Sequence, residues 1–217
     1  MPLKREHVEA ALSHLRNVDP IMGELIDKAG PFTLKLDQDR FGILVRSILS
    51  QQISTSAARA IRLRLEGIVA PDKLSASAVA GLTEQQLRSA GLSSQKMSYL
   101  KDLSQQVLSG RLNLRNIGRR SDEDAIEHLI QVRGIGRWTA QMFLIFSLGR
   151  LDVFPHDDLI VRSSIQELYR LRELPDKKRS HEIASLWAPF RSVASWYCWR
   201  LVDVKKATMA DRNGYPV

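Results

Sequence analysis

Two adjacent carboxylates, Asp157 and Asp158, are the side chains in this sequence that are best placed to do chemistry. A carboxylate can stabilise positive charge that develops during a reaction, and it can orient or deprotonate water. A helical pattern follows directly at Leu159–Leu171, so the positive end of a helix dipole would stabilise an ionised carboxylate here. The alternative is that the two acids only cap that helix.

A glycine-containing turn, Val132–Gly136, lies upstream between two apolar helical runs. Gly134 and Gly136 lack side chains, which allows another backbone or a phosphate to come close. The second run begins just after Gly136, so unpaired N–H groups and a positive dipole end face outward, as in many phosphate sites. Arg133 and Arg137 add positive charge. The alternative is a glycine-capped junction between two packed helices.

The elements that must position these groups are predicted to be helices. Apolar residues fall at i, i+3, i+4, i+7 and i+8, the spacing of one buried helix face, at Phe41, Leu44, Val45, Ile48 and Leu49. Ser121, followed by Asp124, is typical of a helix start. Only Phe32–Leu36 resembles a strand, and it is short. We predict an all-α protein with about ten helices.

Composition limits the partners and the cofactors. The chain has 217 residues and a formal net charge of +8. Such an excess favours an anionic partner, usually nucleic acid, although it can also serve solubility alone. The one cysteine, Cys198, cannot form an internal disulfide or a four-thiolate cluster, and the five histidines show no ligand spacing. We predict no cofactor and no catalytic metal.

The sequence also indicates a compartment. The first residues, MPLKREHVEA, contain no apolar segment typical of a secretion signal, and no apolar run approaches the ~20 residues of a membrane span. A single cysteine fits a reducing environment. We therefore expect no membrane association and an intracellular location, in the cytoplasm or nucleoid of a bacterium or in the nucleus of a eukaryote.

Several separated segments resemble, in the same order, the helix-hairpin-helix base-excision DNA glycosylases, the HhH-GPD superfamily. The matching segments are Leu44–Ala58, Gly91–Leu103, Val132–Ala140, Val153–Arg162 and Trp187–Trp199. The alkylation-repair branch, 3-methyladenine DNA glycosylase II, is the most similar. The length suggests its compact form, without the N-terminal β domain of larger members. The resemblance runs from about Leu12 to about Leu201.

The resemblance implies an all-α fold of two helical lobes with a DNA-binding cleft between them. One lobe would span about 37–150 and contain the helix-hairpin-helix motif at 124–147. The other would combine 1–36 with 151–217. The implied partner is double-stranded DNA that contains damaged bases, bound by a monomer.

By the same resemblance Asp158 aligns with the catalytic aspartate, and Asp157 is an ordinary capping residue. Breaking an N-glycosidic bond builds positive charge on the sugar, which a carboxylate stabilises. Alkylated purines such as 3-methyladenine and 7-methylguanine are already cationic and leave as neutral bases, so one aspartate suffices. Trp138 stands where bifunctional relatives have a Schiff-base lysine, which predicts a glycosylase without lyase activity. His156 differs from the usual residue and is either a loop residue or a group that tunes Asp158.

The base-pocket positions of the family fall on Trp138, Met142, Leu159 and Trp199. A tryptophan ring can stack on an electron-deficient base, with a cation–π gain of about 0.5–2 kcal/mol. Both tryptophans could instead be core residues. Trp196 and Trp199 are three residues apart on one helix, and we assign Trp199 to the pocket. Met142 and Leu159 are aliphatic, which reduces the stacking area and leaves the range of bases open.

The contacts to DNA are also implied by the resemblance. Gln52, between Gln51 and Ile53, aligns with the side chain that fills the space left by a flipped base. The alternative is a solvent-facing turn between helices. Phosphate contacts are predicted for Arg133, Gly134, Gly136, Arg137 and Thr139. In relatives, hairpin carbonyls also hold a structural monovalent cation, and the matching carbonyls here are those of Ile130, Val132 and Ile135.

Two other functions are compatible with the sequence. A helix-hairpin-helix module can bind DNA without catalysis, in which case Asp158 is structural. A glycosylase for oxidised or deaminated purines is the second, although Trp138 counts against a lyase of the oxidised-guanine type.

Overall fold

Helices form the regular structure of the protein in a computed structural model that describes residues 3–212, with side chains described for 3–205. Over the described residues there are twelve α-helices, a 3₁₀ turn at Ile117–Arg119 and a π-helical segment at Leu144–Leu148. The prediction of an all-α protein is confirmed. None of the helices in the described part of the chain is both long and apolar enough to cross a lipid bilayer.

The helices divide between two units. We call the residues up to Leu36 together with those from Gly149 onward the terminal unit, and Asp37–Leu148 the central unit. The terminal unit has α1 (Arg5–Val18), α2 (Pro20–Ala29), α10 (Leu159–Leu168), α11 (Lys177–Ala184) and α12 (Arg191–Arg212). The central unit has α3 (Arg40–Ser50), α4 (Thr55–Val69), α5 (Ala76–Gly81), α6 (Glu84–Ser89), α7 (Ser94–Leu108), α8 (Asp122–Ile130) and α9 (Arg137–Phe143).

Short polar side chains begin most of these helices. The hydroxyl of Ser54 accepts the Ala57 N–H at the start of α4, and the hydroxyl of Ser121 accepts the Asp124 N–H at the start of α8. Such caps satisfy backbone donors that have no partner inside the helix. The predicted start of α8 is therefore confirmed.

The apolar face predicted on α3 is buried in the central unit. Leu44, Val45 and Ile48 are 0% exposed, and α3 packs on α4, α7 and α9. Burying a side chain of this size contributes about 1.5–3 kcal/mol. This packing fixes the direction of the α3–α4 connection and of the helices around the glycine turn.

A buried carboxylate connects distant parts of the terminal unit. Asp19, 3% exposed, caps α2 by accepting the N–H groups of Ile21 and Met22. It also accepts the Trp187 indole N–H at 2.8 Å and the Tyr169 hydroxyl. Burial, with the hydrogen bond and the charge of Asp19, raises the pKa of the Tyr169 phenol. These four donors satisfy a group whose isolated burial would be costly.

The strand-like segment Phe32–Leu36 forms no strand; within it only Lys35 makes an isolated bridge. A strand requires a neighbouring strand for its backbone groups, and residues 3–212 contain none. The Phe32 ring instead packs at 4.7 Å from that of Trp196 on α12. The apolar side chains that made this segment resemble a strand are present because the segment packs on a helix.

Candidate active site and nucleic-acid interface

Asp158 is the N-cap of α10. Its Oδ1 accepts the Val161 N–H at 2.9 Å, and its own N–H donates to the Pro155 carbonyl at 2.9 Å. The residue is 7% exposed. A carboxylate in this position interacts favourably with the helix dipole and with the first free N–H groups of the helix. The structure therefore holds one carboxylate oxygen in a fixed direction at the start of α10.

The indole of Trp199 gives Asp158 a second donor. Its Nε1 lies 3.2 Å from the same Oδ1, and the ring is only partly buried. The Ser164 hydroxyl donates to the Cys198 carbonyl at 2.8 Å, which ties α10 to α12 beside this contact. Trp199 thus fixes the carboxylate, whereas Trp196, 8% exposed, belongs to the apolar core of the terminal unit.

The interpretation of Asp157 as the capping residue is wrong, because Asp158 itself forms the cap. Asp157 is exposed, and its Oδ2 lies 3.2 Å from Nε2 of His156. The buried His156 ring lies 5.0 Å from that of His181. Burial, and then the charges of Lys177 and Arg191, lower the pKa of His181. Asp158 therefore caps α10 and is also the proposed reactive residue, whereas Asp157 lies beside His156.

The hairpin turn, residues 131–136, connects α8 to α9 and depends on Gly134. This residue has φ +83°, and a Cβ added to it would lie 2.1 Å from Cδ2 of Tyr99. Gly136 is different, because a Cβ there meets no atom within 4 Å among the described residues. Gly136 is the N-cap of α9 and has no side chain to cap the helix. The first glycine serves packing, and the second leaves space over the start of a helix.

The charged residues of the hairpin already have partners in the protein. The Arg137 guanidinium binds both oxygens of Glu123, at 2.7 and 2.5 Å. The Arg133 N–H donates to Asp102 at 2.8 Å, while its side chain is exposed. Thr139 is 6% exposed. Little of the Thr139 surface therefore faces solvent, and its contact with a phosphate stays a prediction.

The residues predicted to line a base pocket differ in exposure. In the central unit Trp138 is 44% exposed and Met142 is half-buried. In the terminal unit Leu159 is 62% exposed, directly after Asp158. Contiguous exposed apolar patches often mark binding surfaces, whereas single exposed apolar residues are common. The pocket roles of these residues stay predictions.

The wedge turn, residues 51–54, joins α3 to α4 and presents Gln52 to solvent. Gln52 has φ +57°, an uncommon conformation for a residue other than glycine. Ile53 is 37% exposed. Gln51 is half-buried, and its amide donates to the Gly134 carbonyl at 2.8 Å. Gln51 therefore connects the wedge turn to the hairpin turn, whereas Gln52 and Ile53 project from the surface.

Helix α7 supports both turns, a role that the sequence did not reveal. The Lys96 ammonium donates to the Leu49 carbonyl at the end of α3, at 2.6 Å, and burial lowers the pKa of Lys96. Tyr99 lies under Gly134, and Asp102 binds the Arg133 N–H. These three residues of α7 are spaced by three, so they follow one helix face. This three-residue spacing is visible in the Gly91–Leu103 segment, and it could have predicted that one face of α7 contacts the two turns.

The carbonyls predicted to hold a monovalent cation lie around the hairpin turn. The Val132 carbonyl accepts the Ile135 N–H at 3.1 Å, and both residues are buried, whereas Ile130 is 43% exposed. A carbonyl oxygen has two lone pairs, so this bond leaves Val132 with acceptor capacity. Among the described residues, no three or more His, Cys, Asp or Glu side chains are grouped to hold a metal ion.

The helical fold and the glycine turn between α8 and α9 are features of the helix-hairpin-helix class of proteins. The chain matches the model of the HhH-GPD superfamily base excision DNA repair proteins over residues 45–189. This range includes the wedge turn, the hairpin turn and Asp158. The chain therefore belongs to the HhH-GPD superfamily.

Individual relatives agree with this assignment. The chain is 33% identical over 192 residues to DNA-3-methyladenine glycosylase 1 of Schizosaccharomyces pombe, covering 86% of this chain and 84% of that protein. The solved S. pombe 3-methyladenine DNA glycosylase in complex with abasic DNA is similar with a TM-score of 0.79 at 33% identity, covering 88% of this chain and 95% of that one. A DNA-3-methyladenine glycosidase from Bacillus halodurans is similar with a TM-score of 0.81 at 34% identity, covering 88% of each chain.

Proposed function

We propose that this protein is a monofunctional DNA glycosylase that removes alkylated purines, of the 3-methyladenine and 7-methylguanine class, from duplex DNA. It hydrolyses the N-glycosidic bond and leaves an abasic site. The observation that supports this most is the Asp158 carboxylate, which the Val161 N–H and the Trp199 indole hold at the start of α10. The names of the similar proteins supply the class of base.

The reaction needs one carboxylate and one water molecule. The bond between the sugar C1′ and the base nitrogen breaks, and its electron pair leaves with the base. Because an alkylated purine is cationic, it departs as a neutral molecule without a proton from the protein. Asp158 stabilises the positive charge on the sugar and orients the water that adds to C1′, and it takes up the proton of that water.

The chain offers no amine at the position of the lyase nucleophile. A glycosylase that also cuts the strand forms a Schiff base through a lysine. Trp138 occupies the matching position in α9, and an indole cannot form a Schiff base. The abasic site is therefore the final product.

Aromatic stacking selects the electron-deficient base. The resemblance to the family supports a base-pocket role for each tryptophan separately: Trp138 of the central unit is half-exposed, and Trp199 of the terminal unit has its orientation fixed by its bond to Asp158. The same resemblance supports aliphatic base contacts by Met142 in the central unit and by Leu159 in the terminal unit.

The turns of the central unit bind and open the duplex. Gly136 and the N–H groups of Arg137 and Trp138 bind a phosphate, which competes with Glu123 for the Arg137 guanidinium. The Arg133 side chain adds positive charge. Gln52 enters the space that the flipped base vacates, with Ile53 beside it. A monovalent cation on the carbonyls of Ile130, Val132 and Ile135 bridges the hairpin to the phosphate.

The enzyme acts inside the cell and as a monomer. Its DNA partner contains damaged bases, and the groups assigned to the reaction all belong to one chain. Neither a second copy nor a membrane is needed for the steps above.

The test is incubation of the protein with duplexes that contain 3-methyladenine, 7-methylguanine, ethenoadenine or hypoxanthine, followed by gel analysis with and without alkali. We expect alkali-sensitive strand breaks with the two methylated bases and intact strands without alkali. Breaks without alkali would contradict the monofunctional assignment. Duplex binding with no base release from any substrate would favour a DNA-binding module without catalysis.

A further inference from the structure

A groove of the central unit lies along α3 and α4, next to the wedge turn, and no residue of the hairpin turn lines it. Its volume is about 650 Å³. We call it the arginine groove, and the polar residues that line it and matter here are Arg46, Ser47, Ser50, Thr55, Arg59 and Arg62. A different groove, of about 480 Å³, has Gln51, Gln52 and Gly134 in its walls. The two grooves share no lining residue, although both adjoin the wedge turn.

Within the described part of the chain, two of the three guanidiniums in the arginine groove are paired with carboxylates of the protein, and the third is not. Arg46 pairs with Asp37 and lies 3.7 Å from Asp39. Arg62 pairs with Glu66 at 3.0 Å. The Arg59 side chain is exposed, and among the described residues it makes no hydrogen bond or ion pair. Of the three guanidiniums that the described structure places along the groove, that of Arg59 is therefore the one whose positive charge is not offset by a paired carboxylate.

The spacing of the α4 arginines fits a nucleic-acid backbone. Arg59 and Arg62 are three residues apart on α4, a rise of about 4.5 Å along a helix axis. Successive phosphates of one DNA strand rise by about 3.4 Å. A guanidinium binds a phosphate through parallel N–H donors. The two arginines can therefore contact phosphates of one strand, with a phosphate at Arg62 competing with Glu66.

The wedge turn indicates which strand occupies the groove. A side chain that enters a base stack has the backbone of one strand on each side of it. Gln51 binds the hairpin on one side, where the damaged strand is bound in the proposed function. Ser50 and Thr55 flank the same turn within the arginine groove. We propose that the arginine groove binds phosphates of the undamaged, complementary strand; this rests on the proposed insertion of Gln52.

The test uses Arg59→Ala and the double variant R59A/R62A, with Arg88→Ala as a control that removes an exposed charge outside the groove. Binding is measured by fluorescence anisotropy to a duplex with an abasic-site analogue and to the damaged single strand. Neutral methylphosphonates replace phosphates near the lesion in either strand. Because the exposed Arg59 side chain makes no hydrogen bond or ion pair within the described residues, we expect its substitution to preserve the fold, and an unchanged unfolding midpoint checks this.

We expect R59A to weaken duplex binding about three-fold and to lower the slope of log K against log salt by about one unit, while single-strand binding stays unchanged. Methylphosphonates in the complementary strand should weaken wild-type binding and have no further effect on the double variant. In the damaged strand they should weaken binding of both proteins equally. Arg88→Ala should behave as wild type.

Equal duplex affinity of R59A, R59A/R62A and wild type would overturn the proposal. Additive effects of the double variant and the complementary-strand methylphosphonates would overturn it too. The two proposals fail separately. If base release is normal but the arginine variants respond to complementary-strand methylphosphonates as wild type does, only the groove assignment is wrong. If the double variant loses that response but no base is released, only the glycosylase assignment is wrong.

Discussion

The aspartate of the terminal unit and the turns of the central unit differ in exposure. Asp158 is 7% exposed, and two protein donors hold its Oδ1. In the central unit Gln52 is exposed, Ile53 is 37% exposed, and Gly136 has open space where a side chain would be. The Asp158 carboxylate is thus held by hydrogen bonds within the protein, whereas the turns of the central unit present side chains and open space to solvent.

The difference matches two physical requirements. A group that stabilises a transition state is most effective when its orientation is fixed before the substrate arrives. A surface that binds DNA must instead leave donors and space for phosphates and bases. Substitutions can separate these requirements, because we expect changes in the rate of base release around Asp158 and changes of affinity or stability in the turns of the central unit.

The largest effect is expected for Asp158→Asn. Asparagine can still cap α10, so the fold and the binding of abasic DNA should be retained. The negative charge is lost, and the single-turnover rate of base release should fall by about 10²–10³-fold or more. Asp157→Asn is the matched control and should excise at nearly the wild-type rate. Loss of activity in the control alone would show that the acids have been assigned in the wrong order.

The two hairpin glycines should respond differently to alanine. Gly134→Ala places a Cβ against Tyr99 at φ +83°. The backbone conformation alone costs about 1–2 kcal/mol, and urea denaturation should show a larger loss of stability. Gly136→Ala meets no atom within 4 Å in the described structure, so stability should change little while abasic-DNA affinity falls. Equal stability of the two variants would contradict this division.

A smaller change in rate is expected for Trp199→Phe. Phenylalanine keeps an aromatic ring but removes the N–H that binds Asp158. Loss of a hydrogen bond to a charged group costs about 1.5–3 kcal/mol, and we expect single-turnover base release to slow by about ten-fold or more. Trp196→Phe, the same change in the core of the same helix, should alter the unfolding midpoint more than the rate. A wild-type rate for W199F would show that this bond does not orient the carboxylate.

The smallest effect is the pH dependence of stability that comes from His181. Its pKa in the folded protein lies below the usual 6.5, chiefly because of burial. Above 6.5 the residue is neutral in both states and has no effect. As the pH falls through 6.5, the unfolded chain binds the proton more readily, so acid reduces the free energy of unfolding. Urea titrations between pH 8 and about 5 should show a weaker decline for His181→Asn than for wild type. An equal decline for the two proteins would contradict this assignment.

Sequence patterns predicted the features that depend on residues close together in the chain. The apolar spacing of α3, the Ser121 cap of α8 and the helix after Asp158 all follow from neighbouring residues. Contacts between distant residues were not predictable. Nothing in the sequence near Gly134 indicates that Tyr99 lies under it, or that Gln51 binds its carbonyl. The capping role of Asp158 was given to Asp157, because two adjacent acids satisfy the same pattern and only the backbone geometry separates them.

The division of the chain has a consequence for its synthesis on the ribosome. All residues of the central unit are available once Leu148 has emerged, whereas the terminal unit also needs segments that follow Gly149. Trp187, which donates to Asp19, is translated 168 residues after it. We therefore expect a nascent chain to complete its wedge and hairpin turns before α1 and α2 find their partners. During that interval α1 and α2 can pack on each other but lack the packing that α12 later provides.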